Sequence, residues 1–187
     1  MILWKQHDKL SDDIILKIKN IAQNNFQENQ ILYTTYKNTT PHELLSDYYA
    51  LIQEKMMKDL YLFHRTKYYW NLWVQMYNNK TNGHPDHDHF GGNNIISWVH
   101  FIQTSDQKCF YFVGFDGNKI YPNHQSSGDI IAFPSWSLHG VDKVTENNFD
   151  RIIVAGNIRL SYIEQPNQEA HESNCFHNTT LWIKNYA

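Results

Sequence analysis

The sequence predicts a mainly β protein with N-terminal helices, folded as a double-stranded β-helix (jelly roll, cupin-like). Three observations predict it. Segments rich in aromatic and β-branched residues recur at short, regular spacing between turn signals from Tyr68 to Leu160, as in sandwiches and jelly rolls. Two segments of helical period precede these strands and do not alternate with them, which disfavours a parallel α/β sheet. Aromatic side chains are abundant, with six Trp, twelve Tyr and ten Phe, and they suit pleated, half-buried surfaces.

Residues 1–10 carry a short apolar segment, Ile2-Leu3-Trp4, read as an edge strand. Ser11 followed by Asp12-Asp13 is a helix start, an N-cap with acids at the positive end of the dipole. Ile14, Ile18, Ile21 and Ala22 continue it at helical spacing, and it should fade between Asn24 and Gln30. A second helix begins at Thr40-Pro41-His42-Glu43, a capping box with Pro at the first helical position. Leu44, Leu45, Tyr48, Leu51, Ile52 and Met56 carry it to about Leu62. Both helices read as buttresses for a sheet. From Tyr68 the period becomes two. The predicted strands are 68–77, 95–104, 108–115, 129–133, 138–144 and 151–160, with turns at Asn78–Gly83 and Asp116-Gly117. A single domain is expected: a helical buttress (1–66), a jelly-roll core (67–162) and a polar C-terminal tail (163–187).

Composition narrows the function classes. The formal net charge is −3, so no basic footprint argues for nucleic acid. No apolar run is long enough for a membrane span, and the N-terminus lacks the apolar stretch of a signal peptide. Cys109 and Cys175 lie far apart in no metal or redox pattern, which fits a reducing compartment. A cytoplasmic location is therefore expected. In the tail, His171, Cys175 and His177 lack a second pair of ligands and read as a surface loop, and the Asn178-Thr179-Thr180 sequon as a chance match.

The chemistry concentrates at Gly83–Gly92, GHPDHDHFGG. His84, His87 and His89 lie close together with Asp86 and Asp88. On an extended chain alternate side chains share a face, so two chelating pairs arise, His87/His89 and His84/Asp86. Asp88 is a candidate to orient an imidazole through its second nitrogen. About fifty residues on, GDIIAFPSWSLHGVD brings His139 to the head of a strand, with Phe133 and Trp136 beside it. Twelve residues further, Arg151 opens the strand RIIVAGNI. If Arg151 faces inward, so do Ile153, Ala155 and Asn157. A buried guanidinium among apolar side chains needs an anion, either a structural carboxylate such as Asp129 or Asp142, or a bound one.

His87-x-His89, His139 and Arg151, set in a predicted jelly roll, resemble the Fe(II)- and 2-oxoglutarate-dependent oxygenases. The pattern is most similar to the small oxygenases of phages and marine bacteria, through the H-x-H pair, the strand Ser97-Trp98-Val99-His100-Phe101, FPSWSLHGV and the final R-x-x-x-x-x-N. The likeness covers about residues 70–160. It implies that His87, His89 and His139 hold Fe(II), although relatives carry a carboxylate where His89 stands, and the His84/Asp86 pair remains the other option. It implies that Arg151 binds the distal carboxylate of the cosubstrate 2-oxoglutarate. Relatives often place Ser or Thr two residues after this Arg. Ile153 stands there, so Tyr111 or Tyr77 would supply the second donor, with Asn157 as a further contact. The implied reaction couples decarboxylation of 2-oxoglutarate, giving succinate and CO2, to hydroxylation of a C–H bond by O2. Trp98, Trp136 and Phe133 would keep water out. The implied partners are 2-oxoglutarate, O2 and a protein or small-molecule substrate, in the cytoplasm of the cell or, for a phage protein, of its host.

Two other readings stand beside this one. A cupin-type metalloenzyme without 2-oxoglutarate would suit three histidines but leaves Arg151 without a role. A non-catalytic jelly-roll binding or structural protein would have little use for either feature.

Overall fold

The computed structural model describes residues 1–28, 31–36, 40–62 and 66–162. In chain order the elements are β1 (Trp4–His7), α1 (Asp12–Gln23), β2 (Phe26–Gln27), β3 (Leu32–Thr34), α2 (Thr40–Asp59), β4 (Thr66–Tyr77) and β5 (His84–His87). A 3₁₀ turn (Gly91–Asn93) follows, then β6 (Asn94–Gln103), β7 (Phe110–Val113), β8 (Lys119–Ile120), β9 (Asp129–Pro134), β10 (His139–Val141) and β11 (Arg151–Tyr162). The strands form two antiparallel sheets, one of seven strands in the order β1-β9-β6-β11-β4-β3-β2 and one of four in the order β5-β10-β7-β8. This is the mainly β, helix-flanked architecture the sequence predicts. The tail with His171, Cys175, His177 and the sequon, and the side chains of the Thr40–Glu43 capping box, lie outside the described residues.

Alternation along the long strands divides the interior into two cores. On β11, Ile152, Val154 and Ile158 face the helices, and Ile153 and Ala155 face the small sheet. On β4, Trp70, Leu72, Val74 and Met76 go to the helix side and Trp73 and Tyr77 to the other. On β9, Ile130 and Ala132 oppose Ile131 and Phe133 in the same way. Period-two patterning thus fixes which side chains reach the space between the sheets. Each fully buried large apolar side chain contributes about 1.5–3 kcal/mol, so a one-residue slip of β11, which would swap both sets, is strongly disfavoured.

The helices cover the outer face of the large sheet. α1 buries Ile18 and Ala22, and α2 buries Leu45, Tyr49, Ile52, Met56 and Met57. Ser11 stands at the N-cap of α1 without a side-chain bond, and Asp12 and Asp13 occupy the first turn. Three polar contacts fix the helical layer. The Trp4 indole donates to Asp59 of α2 (2.9 Å). Within the sheet, His100 Nε2 meets the Asp8 carbonyl at 2.8 Å, and because a carbonyl only accepts, the proton sits on Nε2. Nδ1 then accepts from the Tyr49 hydroxyl of α2, also at 2.8 Å.

Four short strands escape the sequence pattern: β2, β3, β5 and β8. Each has two to four residues, too few for a periodic signal. β3 exists because the edge of the much longer β4 offers it partners, Tyr33 against Met76 and Thr34 against Gln75.

Candidate metal and anion site

β5 and β10 build the candidate metal cluster. His139 is the Cα partner of His87 across the two strands, and Val141 is that of His84. Three residues on β5 therefore span what two span on β10, and the resulting bulge breaks the alternation of β5. Gly83 makes this entry possible: its φ is +76°, and a Cβ there would overlap the carbonyl oxygen of Val141. The bulge separates the members of the His84/Asp86 pair. His84 and His87 come to one side, with ring centroids 4.2 Å apart. Asp86 turns to the other side, where its carboxylate accepts the Tyr111 hydroxyl at 2.7 Å.

One ring nitrogen each from His87, His89 and His139 gather within 4.8 Å of one another, the arrangement that could hold a metal ion. Ring centroids lie 4.9 Å apart for His87–His89, 4.4 Å for His87–His139 and 5.1 Å for His89–His139. Backbone carbonyls fix two of the tautomers. His87 Nδ1–H donates to Pro85 O and His139 Nδ1–H to Ser137 O, each at 2.8 Å, leaving both Nε2 lone pairs for a ligand. Asp88, expected to orient an imidazole, instead accepts the Phe90 amide at 3.1 Å in a local turn. His89 is held through its backbone, its amide donating to Ser135 O at 2.8 Å and its carbonyl accepting from Asn94.

All four imidazoles are kept neutral. Burial lowers His139 and His89 to about 3 and His84 to about 4, with neighbouring imidazoles pushing the same way. Burial also lowers His87, against the pull of Pro85 O and two nearby aspartates. Neutral imidazole is the ligating form.

The cluster opens on a small cavity between the sheets, lined by His84, His87, His89 and His139 on one side and Trp73 and Tyr77 on the other. Phe133 lies edge-on to His139 with centroids 4.9 Å apart, as the sequence led one to expect. Trp73 and Phe110, which sequence reasoning missed, complete the apolar wall, 5.6 Å from His89 and from His139 respectively. Alternation on β4 and β7 was the available signal for both. Of the two tryptophans assigned to this wall, Trp98 is among the lining residues but turns its ring away, and Trp136 lies at the rim. The Trp98 ring stacks on Tyr49 in the helix-side core, centroids 5.1 Å apart, because residue 98 has the parity of β6 that faces the helices. Trp136 is 59% exposed and meets Phe90 at the rim.

Arg151 faces inward, as alternation required, and is only 2% exposed. Its guanidinium lies over the Phe101 ring, 5.3 Å from the centroid. The structural carboxylates suggested as its partners are engaged elsewhere, Asp129 with His7 and Asp142 with Lys119. Among the described residues Arg151 forms no ion pair; Nη2 donates to Gln125 Oε1 at 3.3 Å, and Nε and Nη1 are buried without a partner. Burial lowers its pKa. Tyr77, its Cα partner on β4, lines the cavity and donates to Gln75 Oε1 at 2.8 Å. Gln75 also lines the cavity and was not singled out in the sequence, although it shares the inward parity of β4.

The other two proposed contacts lie apart from this corner. Tyr111 sits between the inward Phe110 and Phe112, so its ring leaves the interior and its hydroxyl is committed to Asp86. Asn157 is buried on the inward face, where its Oδ1 accepts from Ser97 at 2.8 Å.

No protein-family model matches the chain, and no curated protein sequence does. Solved structures do. The chain is similar to a prolyl-4-hydroxylase from Pseudomonas putida (TM-score 0.56, 14% identity, over 83% of this chain and 91% of that one). It is similar to the non-heme alpha ketoglutarate dependent carbocyclase SnoK from nogalamycin biosynthesis (TM-score 0.56, 9% identity, 84% and 81% covered). A third is the epimerase SnoN of the same biosynthesis, also non-heme and alpha ketoglutarate dependent (TM-score 0.56, 10% identity, 84% and 79% covered). The chain thus has the jelly-roll fold found in 2-oxoglutarate-dependent oxygenases, with a three-histidine cluster that could hold a metal. No helix among the described residues is long and apolar enough to cross a membrane.

Proposed function

We propose that this protein is an Fe(II)- and 2-oxoglutarate-dependent oxygenase that hydroxylates a C–H bond of its substrate with release of succinate and CO2. The observation that carries the reading is Arg151, a buried guanidinium that among the described residues has two unpartnered nitrogens and no ion pair, beside Tyr77, which lines the same cavity as the three-histidine cluster. Leaving a buried cation unpaired is costly, so the site is built for an anion that arrives from outside. A guanidinium fork matches a carboxylate. The residues present therefore suit both groups, His87, His89 and His139 for the metal and Arg151 for the distal carboxylate of 2-oxoglutarate. Bound Fe(II) would supply the activation of O2, whose oxidising equivalents would be divided between decarboxylation of 2-oxoglutarate and the C–H bond.

The chain's own contribution is placement and shielding. Pro85 O and Ser137 O hold the His87 and His139 tautomers with Nε2 free. Trp73, Phe110 and Phe133 exclude water from the ligated face. With imidazole where relatives carry a carboxylate, the metal keeps its full double charge, which would tighten its hold on the anionic cosubstrate. The particular kinship with small oxygenases of phages and marine bacteria rests on the sequence motifs, and a cytoplasmic setting belongs to the same proposal. The three-histidine set by itself also suits a metalloenzyme that uses no 2-oxoglutarate; the unpaired Arg151 favours the oxygenase.

Anaerobic addition of Fe(II) and then 2-oxoglutarate tests the reading. A weak metal-to-ligand charge-transfer band in the visible is expected, followed by succinate formation in air. Absence of both overturns it.

A further inference from the structure

Gln125 lies in the loop between β8 and β9 and is only 4% exposed. Its side-chain amide is fully engaged. Oε1 accepts from the Phe110 amide at 3.1 Å and from Arg151 Nη2 at 3.3 Å. Nε2 donates to Phe110 O at 3.1 Å and to Pro122 O at 3.0 Å. The amide therefore pairs with β7 at Phe110 as one more strand residue would. These partners also fix which way round it lies. A flipped amide would set its NH2 against the Phe110 N–H and the guanidinium, both donors, and its oxygen against two carbonyls. The acceptor face is thus held toward Arg151.

We infer that Gln125 is a positioning residue for the anion site, a neutral acceptor that anchors one nitrogen of Arg151 without neutralising its charge. The inference rests on the anion-binding reading of Arg151 given above. The argument turns on what the alternatives would do at this position. A carboxylate would hold the guanidinium more strongly, but as an ion pair, and the exogenous anion would then have to compete with a resident one. An apolar side chain would leave the charge unopposed but the fork free to turn and its Nη2 unsatisfied. A glutamine avoids both. It takes one of the two Nη2 hydrogens and leaves the other, together with Nε or Nη1, neither of which has a partner among the described residues, as a fork for a carboxylate. The Phe101 ring under the guanidinium limits its remaining freedom.

The test measures 2-oxoglutarate binding by calorimetry to Co(II)-loaded protein, beside a separate Co(II) titration. Gln125→Glu is expected to raise the 2-oxoglutarate Kd at least tenfold while Co(II) affinity stays at the wild-type value. Gln125→Met, which keeps the length and removes both polar atoms, is expected to raise that Kd severalfold, and the KM for 2-oxoglutarate with it, with kcat largely retained. Wild-type 2-oxoglutarate binding in folded Gln125→Glu overturns the inference. Should that variant not fold, an unchanged Kd in Gln125→Met overturns it. Failure of wild-type protein to bind 2-oxoglutarate at all, with Co(II) still bound, overturns instead the reading of Arg151 on which the inference rests.

Discussion

His139 on β10 stands directly across from His87 on β5, with their ring centroids 4.4 Å apart. This strand pairing joins two motifs about fifty residues apart in the chain and creates the three-histidine cluster that could hold a metal. Truncating either partner to Ala, or His89, should lower Co(II) or Fe(II) affinity by more than about 100-fold, since outer partners alone are worth about 10–100-fold. His84→Ala and Asp86→Ala should retain binding within about tenfold, because His84 only stacks on His87 and Asp86 is turned to Tyr111. Metal titration of the five variants, each checked for folding, decides the ligand set.

Arg151→Met should separate function from stability. It removes a buried charge that has no ion pair among the described residues, and the desolvation cost of that charge goes with it. Thermal unfolding of metal-free protein should therefore shift upward or stay level, at about 2–4 °C per kcal/mol for a chain of this size. Binding of 2-oxoglutarate should be lost. A large fall in melting temperature would mean that Arg151 is a structural group after all.

Gly83→Ala should weaken the metal site without touching a ligand. The position needs a positive φ, and a Cβ would press on the Val141 carbonyl and on the backbone of Asp142 and Lys143. A cost of about 1–3 kcal/mol is expected, read as a lower denaturation midpoint. Displacement of the adjoining β5 should lower metal affinity in parallel. Stability lost at wild-type metal affinity would show that the bulge does not depend on Gly83.

His100 should give the helical layer an acid limit. Burial lowers its pKa from 6.5 to about 4, against the opposing Asp8 carbonyl and carboxylate. The fold therefore holds His100 neutral. Its contribution is complete above pH 6.5 and is lost as pH falls from there toward 4, because the unfolded chain takes up the proton first. The amount is about 3 kcal/mol. The buried site histidines add an acid loss of the same sign, so the measurement is a difference: urea midpoints of metal-free wild type and His100→Gln at pH 7 and pH 5. The variant should lose less on acidification; equal losses would refute the assignment.

Much of this was legible in the chain. Alternating hydrophobicity placed β4, β6, β9 and β11 within a few residues and gave the inward parity of Arg151, because burial of one face is a property each strand carries locally. The same parity applied to β6 and β7 would have turned Trp98 toward the helices and Tyr111 out of the interior, and on β4 it would have found Trp73 and Gln75. The error there lay in which residues the rule was applied to. β5 is different. Its alternation is broken by a bulge that exists only because β10 pairs with it, so no count along GHPDHDHFGG could separate His84 from Asp86.

The sequence by itself determined the fold class, the two long sheet-forming strands β4 and β11, and the residue types of the metal and anion sites, since periodicity, turn chemistry and ligand softness are all local. Only the tertiary structure decided which of the clustered histidines converge with His139. It also decided that Asp86 is tied off by Tyr111, and that Arg151, among the described residues, has a neutral glutamine for a partner and no ion pair. These are contacts between strands distant in the chain, and their register is set by the pairing of two backbones and the packing of two cores.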